Sequence, residues 1–152
     1  MTTTPEPTTE ALFRAEERRL HRTAWMLLGD REEAEDAVQD AMATLARRGL
    51  DELDRPGAYL RTIVVNECRR RMRRQRPRPA SGPDLAAFDR HDIEMLDALG
   101  SLTARKRAVV VLRFYEDLEV NVIAELLGCA PSTVSSLLHR AMKDMKEILT
   151  HD

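Results

Sequence analysis

The chain has 152 residues, enough for one ordinary domain or two small ones, and 43% are hydrophobic, so it can bury a core. Aromatic residues are only 4%, and the apolar load is mostly Leu, Ala, Val and Met, which favours helices over sheets. No apolar run reaches the roughly 20 residues that span a bilayer, and MTTTPEPTTE lacks the basic start and apolar core of a signal peptide. Cys68 and Cys129 are too few for a disulfide scaffold and lack metal-ligand spacing. The expectation is a reducing, cytoplasmic setting with no metal and no cofactor.

The net charge of −2 conceals segregation. Residues 55–80 hold 9 basic and 1 acidic residue, while residues 1–54 hold 13 acidic and 7 basic. A basic block inside an acidic chain points to a polyanion-facing patch.

In chain order, residues 1–9 are Thr- and Pro-rich and read as a disordered tail. Leu12, Leu20, Ala24, Leu27 and Leu28 suit a first helix ending at Gly29. Asp30, with Glu33 three residues on, is an Asp variant of the capping box. The second helix carries Ala34, Ala37, Val38, Ala41, Met42 and Leu45 on one side, with Glu35, Asp36, Gln39 and Asp40 beside that stripe. A loop, GLDELDRP, leads to a third helix from about Gly57 to Arg74. Seven arginines lie between Arg69 and Arg78, more than compensation of one helix dipole requires, and nucleic-acid phosphate is the commoner reason for such a run.

Residues 75–90 contain three prolines and one glycine and mark a linker. Helices then follow over about 91–100 and 103–115; VVVLRFY has strand propensity but no pairing partner. The stretch after Val120 reads as a helix-turn-helix. Val120, Ile123, Ala124 and Leu127 fall at helical spacing, Gly128 closes that helix, and Pro131 opens the next. Val134, Leu138, Ala141, Met145 and Ile148 form the second helix's apolar stripe. The expected fold is all-α: two small helical domains, 10–76 and 93–152, joined by a flexible linker at 77–92. The four histidines are far apart, and no catalytic motif is present. No catalytic residue is expected, and the chain is not read as an enzyme.

Three blocks, in order, resemble one family. They are LHRTAWMLLGDREEAEDAVQDAMATLARR, RPGAYLRTIVVNECRRRMRR and LTARKRAVVVLRFYEDLEVNVIAELLGCAPSTVSSLLHRAMK. The chain resembles alternative sigma factors of bacterial RNA polymerase of the extracytoplasmic-function type, most of all short actinobacterial forms. The resemblance implies a factor that directs the polymerase core to promoters and initiates transcription there. It implies binding of the largest-subunit clamp through Glu35, Asp36, Gln39 and Asp40, contact with the flap, and an anti-sigma protein as a further partner. It implies reading and melting of the −10 element by Tyr59, Arg61, Asn66, Arg69, Arg70, Arg71, Arg73 and Arg74. Asn66 would contact a flipped base and the arginines the displaced strand; a plain mid-helix asparagine is the other reading. Tyr59 stands where many relatives have tryptophan. Ser132, Thr133, Ser135, Ser136, His139 and Arg140 would face the −35 element. There the chain departs from the family pattern, with Ser135 and Leu137 where relatives carry cations. Loss of two phosphate contacts lowers the salt slope by roughly 2, and Ala130 in place of a serine cap costs about 1 kcal/mol. The expectation is weak −35 reading, with Leu137 a second candidate as a protein-facing residue. The rival is a helix-turn-helix regulator that acts without polymerase, for which the first three helices have no use.

Overall fold

Backbone capping explains where several helices of the chain begin and stop. The computed structural model describes residues 8–73 and 90–150, and among these all regular structure is helical. α1 spans Thr9–Leu28, α2 Arg31–Arg48, α3 Pro56–Met72, α4 Arg90–Ser101, α5 Ala104–Val110, α6 Val120–Leu127 and α7 Pro131–Thr150. Thr8 caps α1 by accepting a hydrogen bond from the Ala11 amide, so α1 has its cap inside the expected tail, of which residues 1–7 lie outside the described residues. Asp30 caps α2 by accepting from the Glu33 amide at 3.1 Å. Of the expected linker, residues 77–89 lie outside the described residues, and 90–92 are already α4.

VVVLRFY is helical, but not uniformly. α5 passes into a π-helical turn over Val111–Tyr115, where the Glu116 amide donates to the Val111 carbonyl at 3.1 Å. The wider turn brings Glu116 inward and leaves Phe114 60% exposed.

α1, α2 and α3 form the first half, α4 to α7 the second. The two halves expected from the sequence are both there, but their cores are continuous. One apolar cluster joins Leu20, Leu27, Leu45, Leu60 and Val64 to Leu96, Leu99, Leu102 and Ala141. A second places Val65 of α3 among Val109, Leu112, Ile123 and Val134 of the second half. Close-packed cores of this kind hold two layers in fixed register.

Candidate nucleic-acid interface

α3 carries its arginines on more than one face, and this divides the predicted cluster. Asn66 is exposed and opens onto a cavity of about 510 Å3 lined by Thr44, Ile63, Asn66, Glu67, Arg69, Arg70 and Arg73. An amide surrounded by three guanidinium groups suits a base edge with flanking phosphates. Glu67 is the one acid in that lining. The hydrogen bond from Arg70 holds its carboxyl below the usual range; burial opposes this, and Arg71 adds to it. Its share of stability is therefore present above the ordinary carboxylate value and fades as pH falls. Burial, then the neighbouring charges of Arg73 and Arg105, lowers the pKa of Arg69.

Arg71 and Arg61 are turned away from this cavity. Arg71 donates to Asp40 at 2.7 Å, Glu33 at 3.0 Å and Glu67 at 3.1 Å, clamping α3 onto α2. Arg61 points to the seam between the halves, 3.8 Å from Glu116, and its Nε is buried with no hydrogen-bond partner among the described residues. Tyr59 lies nearly two turns before Asn66, at the exposed end of α3, with the Arg48 guanidinium 5.2 Å from its ring centre. Arg74 lies outside the described residues. Thr44 was not foreseen as a lining residue, because only the packing of α2 on α3 brings it beside Asn66; Ile63 lies one turn before Asn66 on α3 itself.

On α2, Asp36 and Gln39 are exposed. Glu35 is held by Arg31 at 3.2 Å within the same helix, and Asp40 by Arg71. The acidic face is therefore open at its middle and engaged at both ends.

The helix-turn-helix has the expected geometry. Gly128 sits at φ +68°, in the left-handed region, and the Cys129 amide donates to the Ala124 carbonyl at 3.0 Å. α6 and α7 meet at 105°. Ser132, Ser135, Ser136, His139 and Arg140 are exposed along one side of α7, and Thr133 is half-buried. Leu137 is half-buried and packs on the second apolar cluster.

The seam holds polar groups that no motif announced. The Glu116 carboxylate is fully buried; it accepts from Thr23 Oγ1 at 2.5 Å and from Arg19 at 2.9 Å. Buried Arg107 donates to the Leu27 carbonyl at 2.6 Å, and to Leu99 at 2.9 Å and Leu102 at 3.1 Å. It therefore caps the C-terminal ends of α1 and α4 together, satisfying carbonyls that a helix leaves unpaired. Arg69 does the same for α6, donating to Leu127 at 3.2 Å and Leu126 at 3.4 Å. Thr23 and Glu116 are 93 positions apart, beyond the reach of any local sequence signal.

Comparison with known proteins agrees with this arrangement. Residues 12–78 match the family described as Sigma-70 region 2, and residues 92–145 match Sigma-70, region 4. The chain is similar to the ECF RNA polymerase sigma factor SigM of Mycobacterium tuberculosis, at 33% identity over 92% of this chain and 76% of the relative. It is likewise 33% identical to the RNA polymerase sigma-E factor of Streptomyces coelicolor, over 92% of this chain and 85% of that one. Among solved structures, the sigma factor RpoE in complex with the anti-sigma factor NepR from Bartonella quintana shares the fold. The TM-score is 0.71 at 23% identity, covering 94% of this chain and 97% of that chain.

Proposed function

The chain belongs to the extracytoplasmic-function sigma factors of RNA polymerase, which direct the core enzyme to promoters and start transcription there, and from that premise we propose how its residues share the work. Residues 10–76 form the polymerase-docking and −10 domain, and residues 93–152 the −35 domain. Asp36 and Gln39, flanked by Glu35 and Asp40, dock on the clamp; exposed charges of this kind chiefly set encounter rate and orientation. Asn66 receives an unstacked base, while Arg70 and Arg73 hold the strand beside it, with Tyr59 at the far end of the same helix. The observation that carries this reading is the open cavity in which Asn66, Arg70 and Arg73 meet. Arg61 and Arg71 act inside the protein instead, as ties between helices.

The −35 element falls to the exposed side of α7, where Arg140 is the one arginine or lysine among the named reading residues. Each good bidentate base contact is worth about 1–3 kcal/mol of discrimination, so a row of serines reads weakly and the first domain carries more of the selection. The factor works in the cytoplasm, without catalytic chemistry of its own; no single described helix is long and apolar enough to cross a membrane. An anti-sigma protein is a reasonable further partner, since the similar RpoE structure holds one.

Transcription in vitro with core polymerase and a library of promoters tests the reading. A defined −10 consensus and tolerance at −35 are expected. Strong discrimination at −35 in gel-shift titration would refute the division of labour. Failure to associate with core polymerase would favour a regulator acting alone.

A further inference from the structure

One stripe of α3 runs past the Asn66 cavity and ends on an aromatic ring. Tyr59, Ile63, Asn66, Arg70 and Arg73 recur at alternating steps of four and three residues, so they share one face of the helix. All but half-buried Ile63 are exposed. The edge of α2 follows the same stripe. Thr44 lines the cavity with Asn66, and Arg48, one turn further along α2, lies over Tyr59 with its guanidinium carbon 5.2 Å from the ring centre.

Arg48 is held in that place. Its Nη1 donates to the Gly49 carbonyl at 3.0 Å and to the Asp51 carbonyl at 3.1 Å, which fixes the guanidinium against the ring. Its Nε and Nη2 have no hydrogen-bond partner among the described residues. Capping the end of α2 accounts for the two carbonyl bonds but not for the ring beneath. A guanidinium plane fixed over an aromatic ring is a surface on which a nucleobase stacks. Charge decides which part of a strand fits here. Asp51, Glu52 and Asp54 are exposed in the loop that Arg48 itself holds. Their negative charge repels a phosphate and leaves an uncharged base unaffected. The cations that suit phosphate, Arg70 and Arg73, stand at the other end of the stripe.

We propose that Arg48 and Tyr59 together form a second base-stacking position for the strand whose unstacked base Asn66 receives. The proposal rests on that reading of Asn66 and adds Arg48, from α2, to the residues that bind the strand. Seven residues at a rise of about 1.5 Å put Tyr59 roughly 10 Å from Asn66 along α3. Bases that follow one another at about 3.4 Å cover this in three steps, and a drawn-out strand covers it in two. The second base therefore lies two or three nucleotides from the one at Asn66.

The test uses the whole chain bound to core polymerase, with a promoter from the selected library whose −10 segment is single-stranded. Each nucleotide of that segment is replaced in turn by an abasic site. The wild type should lose affinity at the base that Asn66→Ala identifies, and again two or three nucleotides away. Each loss should be at least about fivefold, the lower end of what stacking one base on an aromatic side chain contributes. In Arg48→Ala and Tyr59→Ala the second loss should vanish while the first stays; Tyr59→Phe, which keeps the ring, should retain the second. The salt slope of Arg48→Ala should equal that of the wild type, unlike that of Arg73→Ala. A slope lowered by about 1 would make Arg48 a phosphate contact and overturn stacking. Arg48→Ala that weakens binding without removing the second loss would reduce Arg48 to a prop for the loop, and would overturn it equally. One sensitive position, dependent on Asn66 alone, would remove the second site and leave the role of Asn66 standing. A wild type indifferent to every abasic site would remove the role of Asn66 itself, and the second position with it.

Discussion

Single residues in one run of arginines have opposite duties here. Arg70 and Arg73 line the Asn66 cavity, whereas Arg71 is bound to three carboxylates. Arg70→Ala and Arg73→Ala should each lower the salt slope of promoter binding by about 1, with the melting temperature unmoved for Arg73→Ala and only slightly lowered for Arg70→Ala, which loses an exposed pair with Glu67. Arg71→Ala should do the reverse, costing about 1 kcal/mol of stability after allowance for solvent screening, with little change in slope. Salt titrations and thermal melts on the same samples separate them; identical behaviour of Arg70 and Arg71 would contradict the assignment. The cysteines differ just as sharply. Burial pushes the Cys68 thiol up to about 12, while Cys129 is half-buried at the helix-turn-helix corner. Near pH 8, one thiol should react quickly with a disulfide reagent and Cys68 only on unfolding. The sign with pH follows: the unfolded thiol ionises first, so stability from Cys68 is intact below its ordinary value near 9 and falls as pH rises toward 12. Two equally fast thiols in the native protein would refute this.

The elements are placed by their ends as much as by their stripes. Thr8, Asp30 and Pro56 start α1, α2 and α3, and Gly29 and Gly128 close α1 and α6 with left-handed backbone. Asp30, Gly29 and Gly128 were legible beforehand because capping is a local matter of one hydrogen bond or one dihedral, whereas Thr8 fell in the expected tail and Pro56 in the expected loop. The π turn after α5 was not, since Val111–Tyr115 offers no local reason to add a residue to the turn; tertiary contacts of Glu116 favour it. On α7 the exposed serines are a matter of chemistry, not geometry. Ser135→Lys should restore a phosphate contact, steepening the salt dependence of −35 binding by about 1 without disturbing the fold, since Ser135 is exposed. An unchanged slope would mean that this side of α7 does not face DNA. A charge at Leu137 is a different matter, because that side chain packs on the second apolar cluster.

For the whole molecule, Arg107 is the residue on which the joint most depends. It satisfies the ends of two helices, one from each half, from a position only 6% exposed. Arg107→Ala leaves buried carbonyls unpaired at about 1–3 kcal/mol each, so a loss of about 3 kcal/mol or more is expected. That corresponds to a fall of roughly 10 °C in melting temperature for a chain of this size. Arg107→Lys should recover only part of it, because one ammonium cannot span carbonyls that a planar guanidinium fork reaches together. A melting temperature within about 2 °C of wild type for Arg107→Ala would show that water replaces the bonds at no cost.

From the sequence by itself came the helical class, the helix-turn-helix, the acidic second helix and the basic third one, and through family resemblance the link to transcription. Periodicity, caps and local charge are written within a few residues of each other, so they can be read without coordinates. Only the tertiary structure decided which arginines meet Asn66 and which are engaged by Glu33, Asp40 or Glu116. It alone showed the halves sharing one core through Val65, Arg69 and Arg107. The pairings of Arg71 with Asp40 and of Arg19 with Glu116 join positions 31 and 97 residues apart, and a sequence records such pairings only as composition until packing brings the partners within a few ångströms.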